Sequence, residues 1–376
     1  MLPLDRVFLV ARSALSPIAV GAALLAGCGG APPAGGTPPD SPTPAGLGTS
    51  RTPTGSSAAG AHVGVSLTSM NHNFFLGMRQ GVEDQLRAER FQAEVLVAED
   101  SATTQQQQVE QLIQKGVKAI IMVPVDAQQA VNPVKAANAA KIPIFCIDRR
   151  VTAPGATVAC TVETDNVAMG AMAAKHALVL LCKRHGLDPT KPEDTKKLTA
   201  TVVHLWGLEA ASSAQDRAKG FAQVFNAAAT PAVKILKHVG DFNAKKSQEV
   251  LGPVLQAHPE IELVFCHNDD NAIGALNAVV DVKKAREKAD DPKRVLIVGM
   301  DGNRPAVEAI RKGDIDATVS QEPIEMGVET VRQVKKVLGG AQPDKPYIAI
   351  RHHLVTRTEA GAAQGKLWSD QLKGGR

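Results

Sequence analysis

The chain has 376 residues, which is too long for one average domain and fits two domains of ordinary size. Hydrophobic residues make up 44% and charged residues 21%, a globular composition, but aromatic residues are only 3%, so the core must be mostly aliphatic. The formal net charge of +4 is spread without a dominant basic block, and it gives no reason to expect a nucleic-acid partner.

The first 27 residues have the pattern of an export signal. A basic start is followed by an apolar stretch from about Leu15 to Leu25, which is too short for a permanent membrane span. The stretch ends in Leu25-Ala26-Gly27-Cys28, which resembles the bacterial lipobox, whose cysteine is acylated and becomes the new N-terminus. We therefore predict a lipoprotein signal peptide over residues 1–27 with lipid attached to Cys28. A plain export signal with a chance cysteine is the alternative.

Residues 28–60 are predicted to form a disordered tether. The segment is rich in Gly, Pro, Ser, Thr and Ala and has almost no large apolar side chain. Such a composition cannot bury enough surface to offset the entropy lost on ordering. The tether would hold the folded part away from the membrane.

From Ala61 onward, short apolar runs alternate with segments of helical period. Strands of the first series are predicted at 63–67, 93–98, 119–123 and 142–147, with helices at 75–89, 102–115 and 127–140. A second series has strands at 199–205, 234–239, 263–266 and 295–299, and helices at 169–183, 213–228, 245–257, 272–284 and 305–312. This alternation predicts an α/β fold with two doubly wound parallel sheets in tandem.

The strand over residues 142–147 ends abruptly in Asp148 and Arg149. In open α/β sheets, ligands bind outside the carboxyl ends of the strands. A carboxylate accepts hydrogen bonds and a guanidinium donates several, so the pair suits a ligand whose hydroxyls do both. A structural ion pair at a strand end is the alternative interpretation.

Other strand ends have the same polar character. The first strand leads to His72, Phe74 and Phe75, and later strands lead to Asn268, Asp301 and Gln321. Amides and carboxylates satisfy pairs of hydroxyls, while aromatic faces cover the C–H face of a sugar ring. For Asp269, Asp270 and Asn303 the sequence favours a turn or helix cap instead.

Five segments together resemble a known family. Residues 68–75, 142–149, 264–276, 298–302 and 317–323 have the order and spacing of the ribose- and galactose-type periplasmic binding proteins, the type I solute-binding proteins of sugar ABC transporters. The resemblance covers about residues 61–355. It implies two α/β lobes, joined by a three-strand hinge, that close on a sugar.

The resemblance also implies lobe boundaries and a set of ligand-binding residues. Lobe one would comprise residues 61–163 and 322–349, lobe two residues 164–321 and 350–365, and a tail residues 366–376. The implied ligand-binding residues are His72, Phe74, Phe75, Asp148, Arg149, Gln215, Phe242, Asn268, Asp301 and Gln321.

Two positions depart from the ribose-type pattern. His72 stands where that pattern has asparagine, and Gln215 stands where it has arginine. Arg217 matches a second arginine of the motif, which we expect to be structural. A pentose, a hexose, a deoxysugar and a polyol therefore all remain open as ligands.

The function implied is a non-enzymatic, monomeric binding protein without cofactor or metal. It would work in the periplasm or on the outer face of the cell membrane and deliver a sugar or polyol to the permease and ATPase subunits of an ABC transporter. A sensor that signals to a membrane receptor is the alternative. A repressor of the same fold would need an N-terminal helix-turn-helix in place of the export signal. An enzyme is disfavoured because the common catalytic motifs are missing, although Asp148 and Asp301 could pair as acid and base.

The cysteines give one further expectation. Cys146 and Cys266 fall in predicted core strands of different lobes, which favours buried thiols. A disulfide between Cys146 and Cys160 is the one pairing left open.

Overall fold

The computed structural model describes residues 60–282, 294–363 and 365–373. The predicted signal peptide, Cys28 and residues 29–59 of the predicted tether lie outside the described residues. Residues 283 and 284 of the helix predicted at 272–284 and residues 374–376 of the predicted tail also lie outside the described residues.

The described elements alternate between strand and helix along most of the chain. The strands are β1 His62–Leu67, β2 Gln92–Val97, β3 Ala119–Met122, β4 Ile144–Ile147, β5 Cys160–Thr164, β6 Ala200–Trp206, β7 Val233–Val239, β8 Ile261–Cys266, β9 Leu296–Asp301, β10 Ala317–Ser320, β11 Tyr347–Ile350 and β12 His353–Thr356. The helices are α1 Asn73–Ala88, α2 Ala102–Gln114, α3 Val131–Ala139, α4 Asn166–Arg184, α5 Pro192–Thr195, α6 Ser212–Ala227, α7 Ala244–Ala257, α8 Asp269–Asp281, α9 Arg304–Lys312, α10 Pro323–Leu338 and α11 Arg357–Ala362. A short 3-10 helix, Trp368–Asp370, follows.

The strands form two sheets with the same internal order. The first sheet runs β11-β5-β4-β3-β1-β2 and the second β12-β10-β9-β8-β6-β7. Pairing is parallel throughout except between β10 and β12, which are antiparallel. We call each sheet with its helices a lobe, so the chain crosses between lobes after β5, after β10 and between β11 and β12. The predicted fold class, two doubly wound lobes joined by a three-strand hinge, is confirmed.

Each sheet is covered on both faces, which explains the continuous apolar runs of its central strands. In β4, Phe145 and Ile147 face the core shared with α1 and α10, while Ile144 and Cys146 face the core on the opposite side. The same division in the second lobe separates two further cores. Within the described ranges, no helix is both long and apolar enough to cross a membrane.

The strand register excludes a disulfide between Cys146 and Cys160. Cys160 lies opposite Phe145 across the β4–β5 pair, so its side chain is on the Phe145 face. The Cys146 side chain is on the other face of the sheet. All four described cysteines are buried and free, as expected for Cys146 and Cys266.

Candidate ligand-binding site

A cavity lies where the carboxyl ends of the two sheets face each other. Of the residues proposed from the sequence, the structure brings to the cavity His72, Phe74, Phe75, Asp148, Arg149, Phe242, Asn268, Asp301 and Gln321. Gln215 is the exception.

Several strand ends at this cavity have left-handed backbone. The φ angle is +66° at Asp148, +60° at Phe242 and +127° at Asp301. Because the two sheets have the same order, Asp148 after β4 corresponds to Asp301 at the end of β9. Asp100 after β2 corresponds in the same way to Asp241 after β7, and both are left-handed. Such strain outside glycine concentrates at functional sites, and aspartate tolerates it better than most residues.

On the first lobe, Asp148 and Arg149 form a buried pair. Each is only 3% exposed, and Arg149 Nε lies 3.5 Å from Asp148 Oδ2. Burial raises the pKa of Asp148 above its ordinary value, although the charges of Arg149 and Arg217 oppose the shift. The Arg149 guanidinium carbon lies 5.6 Å from the ring centres of both Phe75 and Phe242, so it is held between aromatic rings from the two lobes.

On the second lobe, Arg217, Asp301 and Gln321 form the matching cluster. Asp301 Oδ1 accepts a hydrogen bond from Gln321 Nε2 at 2.7 Å and lies 3.5 Å from Arg217 Nη2. Arg217 also donates to Asn166 Oδ1 at 2.9 Å and to the carbonyl of His267. Burial raises the pKa of Asp301 to about 7, against the opposing effects of Arg217 and Gln321.

The structure places Arg217, and not Gln215, at the cavity. Gln215 is exposed, and its Nε2 donates to the carbonyl of Glu209 at 3.0 Å. The two residues are two positions apart on α6, and side chains with that spacing do not share a helix face. The expectation that Gln215 faces the ligand and that Arg217 is only structural is therefore not supported by this geometry.

Phe242 reaches the cavity because the residue opposite it has no side chain. A Cβ atom at Gly207, directly after β6, would lie 2.1 Å from the Phe242 ring. On the other lobe, the Phe74 and Phe75 rings meet edge to face with centroids 5.5 Å apart. Aromatic faces from both lobes thus border the same space.

Residues 268–270 have three separate roles. Asn268 caps α8, its Oδ1 accepting from the amide of Asn271 at 2.8 Å, while its side chain also borders the cavity. Asp269 is fully buried and accepts from Thr318 Oγ1 at 2.7 Å, which makes it structural. Asp270, which the sequence favoured as a turn or cap residue, lies 3.1 Å from His72 Nδ1 on the other lobe.

The contact between His72 and Asp270 predicts a pH dependence. Burial acts to lower the pKa of His72, but the hydrogen bond and charge of Asp270, helped by Asp100 and Asp301, outweigh it and raise the pKa above 6.5. A raised pKa in the folded state means stability that is fully present below about pH 6.5 and lost as pH rises through the raised value. We expect the ligand-free protein to gain melting temperature, relative to His72→Asn, between roughly pH 8 and pH 6.

Differential scanning fluorimetry of both proteins across this range measures the effect. Asp301 titrates in the same direction, since its pKa is also raised, but it is present in both proteins, so only its interaction with His72 enters the difference. Parallel pH profiles for the two proteins would contradict a contribution from His72.

A second contact between the lobes involves residues that the sequence did not single out. Arg150, directly after Arg149, forms ion pairs with Glu163 on β5, at 2.5 Å, and with Asp216 on α6. Its backbone amide donates to Ser212 Oγ at 3.0 Å. Asp216 precedes Arg217, so the contact fixes the segment that carries Asp148 and Arg149 against the segment that carries Arg217.

The sequence reasoning also missed some of the residues that line the cavity. Besides Arg217, these are Asp100, Leu208, Ser213 and Asp241. Asp100 and Asp241 follow strands and could have been found by the strand-end argument that identified Asp148. Leu208 and Ser213 belong to the loop and first turn before Arg217, where no pattern marks them.

The cavity is rich in hydrogen-bonding groups. Two buried guanidinium groups face two buried carboxyl groups, Asp100 and Asp241 add two more carboxyl groups, and amides supply both donors and acceptors. Arg149 Nε and Gln321 Oε1 are buried without a hydrogen-bond partner among the described residues. In the described ranges, no group of three or more His, Cys, Asp or Glu side chains is placed to hold a metal ion.

Comparisons with known proteins agree with this arrangement. The sequence profile described as "Periplasmic binding protein domain" matches residues 63–342. The chain is 31% identical to the ribose import binding protein of Bacillus subtilis over 75% of this chain and 83% of that protein. It is 30% identical to the D-apiose import binding protein of Paraburkholderia graminis over 82% of this chain and 92% of that protein.

One solved structure illustrates the likeness of fold. The binding protein of the arabinose ABC transporter from Shewanella sp. ANA-3, bound to L-arabinofuranose, superposes with a TM-score of 0.72 at 25% identity. The match covers 83% of this chain and 96% of that one.

Proposed function

Because the chain belongs to the periplasmic binding protein family, with the type I sugar-binding fold, we propose that it captures a monosaccharide or related polyol between its two lobes. The observation that carries this proposal is the pair of buried clusters facing one cavity, Asp148 with Arg149 from one lobe and Asp301 with Arg217 from the other. Hydroxyl groups, which both donate and accept, match such clusters. The ribose and D-apiose import binding proteins among its relatives support a sugar as the ligand.

We further propose how the protein delivers its ligand and how the chain is divided between the two lobes. The protein would pass its ligand to the permease and ATPase subunits of an ABC transporter, as a monomer held at the outer face of the cell membrane by a lipid on Cys28. Lobe one would comprise residues 61–163 and 322–349, and lobe two residues 164–321 and 350–365. The chain is not an enzyme, since its relatives are binding proteins of import systems.

A thermal-shift screen tests the proposed function. A ligand that binds only the folded state raises the melting temperature, so one or more pentoses, hexoses or polyols should do so. Calorimetry then measures affinity, and the sugar should be recovered unchanged after incubation. Melting temperatures unaffected by every sugar and polyol at millimolar concentration would contradict the proposal.

The lipid anchor predicts the behaviour of a Cys28→Ser variant. Without the cysteine the precursor cannot be acylated, so the variant should partition into the aqueous phase of a detergent extract, whereas the parent protein enters the detergent phase. Cys146→Ser serves as a control, because that cysteine is buried in a strand and should not affect partitioning. Equal detergent partitioning of Cys28→Ser and the parent would exclude acylation at Cys28.

A further inference from the structure

The segment from Gly365 to Lys373, which we call the C-terminal strap, lies between the two lobes. The sequence predicted only a tail from residue 366. In the structure, Leu367 is buried in a core of the second lobe, together with α11. The next residue, Trp368, is 1% exposed and buried in the core of the first lobe.

Trp368 contacts ligand-site residues of both lobes from behind the cavity. Its ring meets the Phe74 ring edge to face, with centroids 6.3 Å apart. Its indole Nε1–H donates to the backbone carbonyl of Asp301 at 2.9 Å. The same carbonyl accepts from the amide of Gln321 at 3.0 Å.

The strap is fixed at both sides of Trp368. Arg304, at the start of α9 in the second lobe, donates to the carbonyl of Ser369 at 2.9 Å. In the first lobe, Gln80 Oε1 accepts from the amide of Lys373 at 2.7 Å, and Gln80 Nε2 donates to the carbonyl of Gln371 at 3.3 Å. The indole fits because α1 has Gly77 beside it, where a Cβ atom would lie 3.0 Å from the ring.

We propose that Trp368 is a positioning residue of the sugar site, holding Asp301 in its binding orientation and linking it to Phe74 on the opposite lobe. The inference rests on the proposed function, because it takes Asp301 and Phe74 as ligand-binding residues. Asp301 has a φ of +127°, a conformation that L residues rarely adopt and that neighbouring contacts must maintain. The hydrogen bond from Trp368 supplies such a contact, and the backbone orientation sets the direction of the Asp301 carboxyl group.

At the strap the chain passes from one lobe to the other a fourth time, after the three hinge crossings. Adjacent residues are buried in opposite cores, so opening of the cleft must move Leu367 and Trp368 relative to each other. Closure of the cleft should therefore change the surroundings of the Trp368 side chain. The chain has only one other tryptophan, Trp206, so its fluorescence can be isolated.

The Trp368→Phe variant tests the proposal, because it keeps a ring in the core and removes the indole N–H. We expect affinity for the sugar found in the screen to fall about tenfold, the order expected when one buried hydrogen bond is lost. Trp206→Phe is the matched control, since it removes an indole away from the strap, and it should bind within about twofold of the parent. In Trp206→Phe, saturating sugar should change the emission of Trp368.

Two further measurements keep the test decisive. Hydrogen exchange of the ligand-free proteins should be faster in Trp368→Phe at the amide of Gln321, independently of any sugar. If Trp368→Phe does not fold, Gln80→Ala loosens the strap from the first lobe and should raise the dissociation constant in the same direction.

The outcomes separate the inference from the proposed function. If the parent protein binds no sugar, the proposed function fails, and the exchange at Gln321 still decides whether Trp368 positions the Asp301 segment. If the parent binds sugar while Trp368→Phe loses only melting temperature and keeps affinity and exchange, Trp368 is a packing residue and the inference is overturned.

Discussion

The Asp148→Asn variant should lose about a hundredfold in sugar affinity while the ligand-free protein keeps its melting temperature. Asparagine keeps one acceptor oxygen but has an NH2 donor in place of the other, so one ligand hydroxyl loses its acceptor and the bond to a second is no longer charge-assisted. Each of these changes costs about 1–3 kcal/mol, and together they correspond to roughly a hundredfold, since each 1.4 kcal/mol is about tenfold. Asparagine keeps the shape of the side chain and tolerates the left-handed backbone at this position.

The fold should be spared because the ionised carboxylate does not stabilise it. Burial raises the pKa of Asp148 in spite of the nearby Arg149 and Arg217, so its charge is a net cost to the folded state above its ordinary pKa. Removing that charge relieves the cost and offsets the lost ion pair with Arg149. If the Asp148→Asn protein melts well below the parent, the ion pair between Asp148 and Arg149 stabilises the fold.

Titration calorimetry and thermal melting on the same samples distinguish these cases. Glu99→Gln is a suitable control, because Glu99 also follows a strand with positive φ but is exposed and does not line the cavity. It should change neither quantity. Normal sugar binding by Asp148→Asn would contradict the assignment of Asp148 to the sugar site.

The Arg217→Gln variant should lose both affinity and stability. Arg217 is 3% exposed and contacts Asp301, Asn166 and the carbonyl of His267. Glutamine cannot replace all three contacts, so buried acceptors lose their donor, at a cost of about 1–3 kcal/mol for each group. Affinity should fall more than a hundredfold, since the substitution also removes one of the two guanidinium groups that line the cavity.

Urea denaturation measures the free energy of unfolding, and calorimetry measures the affinity. Gln215→Ala on the same helix is the matched control, because an exposed side chain of this kind usually changes stability by no more than about 0.5 kcal/mol. This pair also decides between the sequence-based expectation and the structure. If Gln215→Ala abolished binding and Arg217→Gln did not, the geometry described for α6 would be wrong.

The sequence predicted the fold and most of the candidate site because both depend on short-range patterns. Strands such as β4 are continuous apolar runs, and their ends are marked by the polar residues that follow. The place of Arg217 at the cavity was not predicted although a local signal existed, since it lies three residues after Ala214 and four before Phe221, on the buried face of α6. A charged residue on an apolar helix face has to meet a partner or a cavity.

Other features depend on contacts between residues far apart in sequence. The strap contact between Trp368 and Asp301 spans 67 residues, and the contact between His72 and Asp270 spans 198. No periodicity or spacing can report such contacts. Whether Cys146 and Cys160 can form a disulfide also depends on the tertiary structure, because the two side chains lie on opposite faces of the first sheet.

The left-handed strand ends also limit how this protein can acquire a new ligand. Asp148, Asp241, Phe242 and Asp301 all hold backbone conformations that most side chains disfavour by about 1–2 kcal/mol. Most substitutions at these positions would therefore destabilise the fold, and asparagine and glycine are the residues best tolerated there. His72, Ser213 and Gln321 carry no such restriction and border the same space. Libraries meant to retarget the cleft should therefore diversify these three positions and leave the four strained ones fixed.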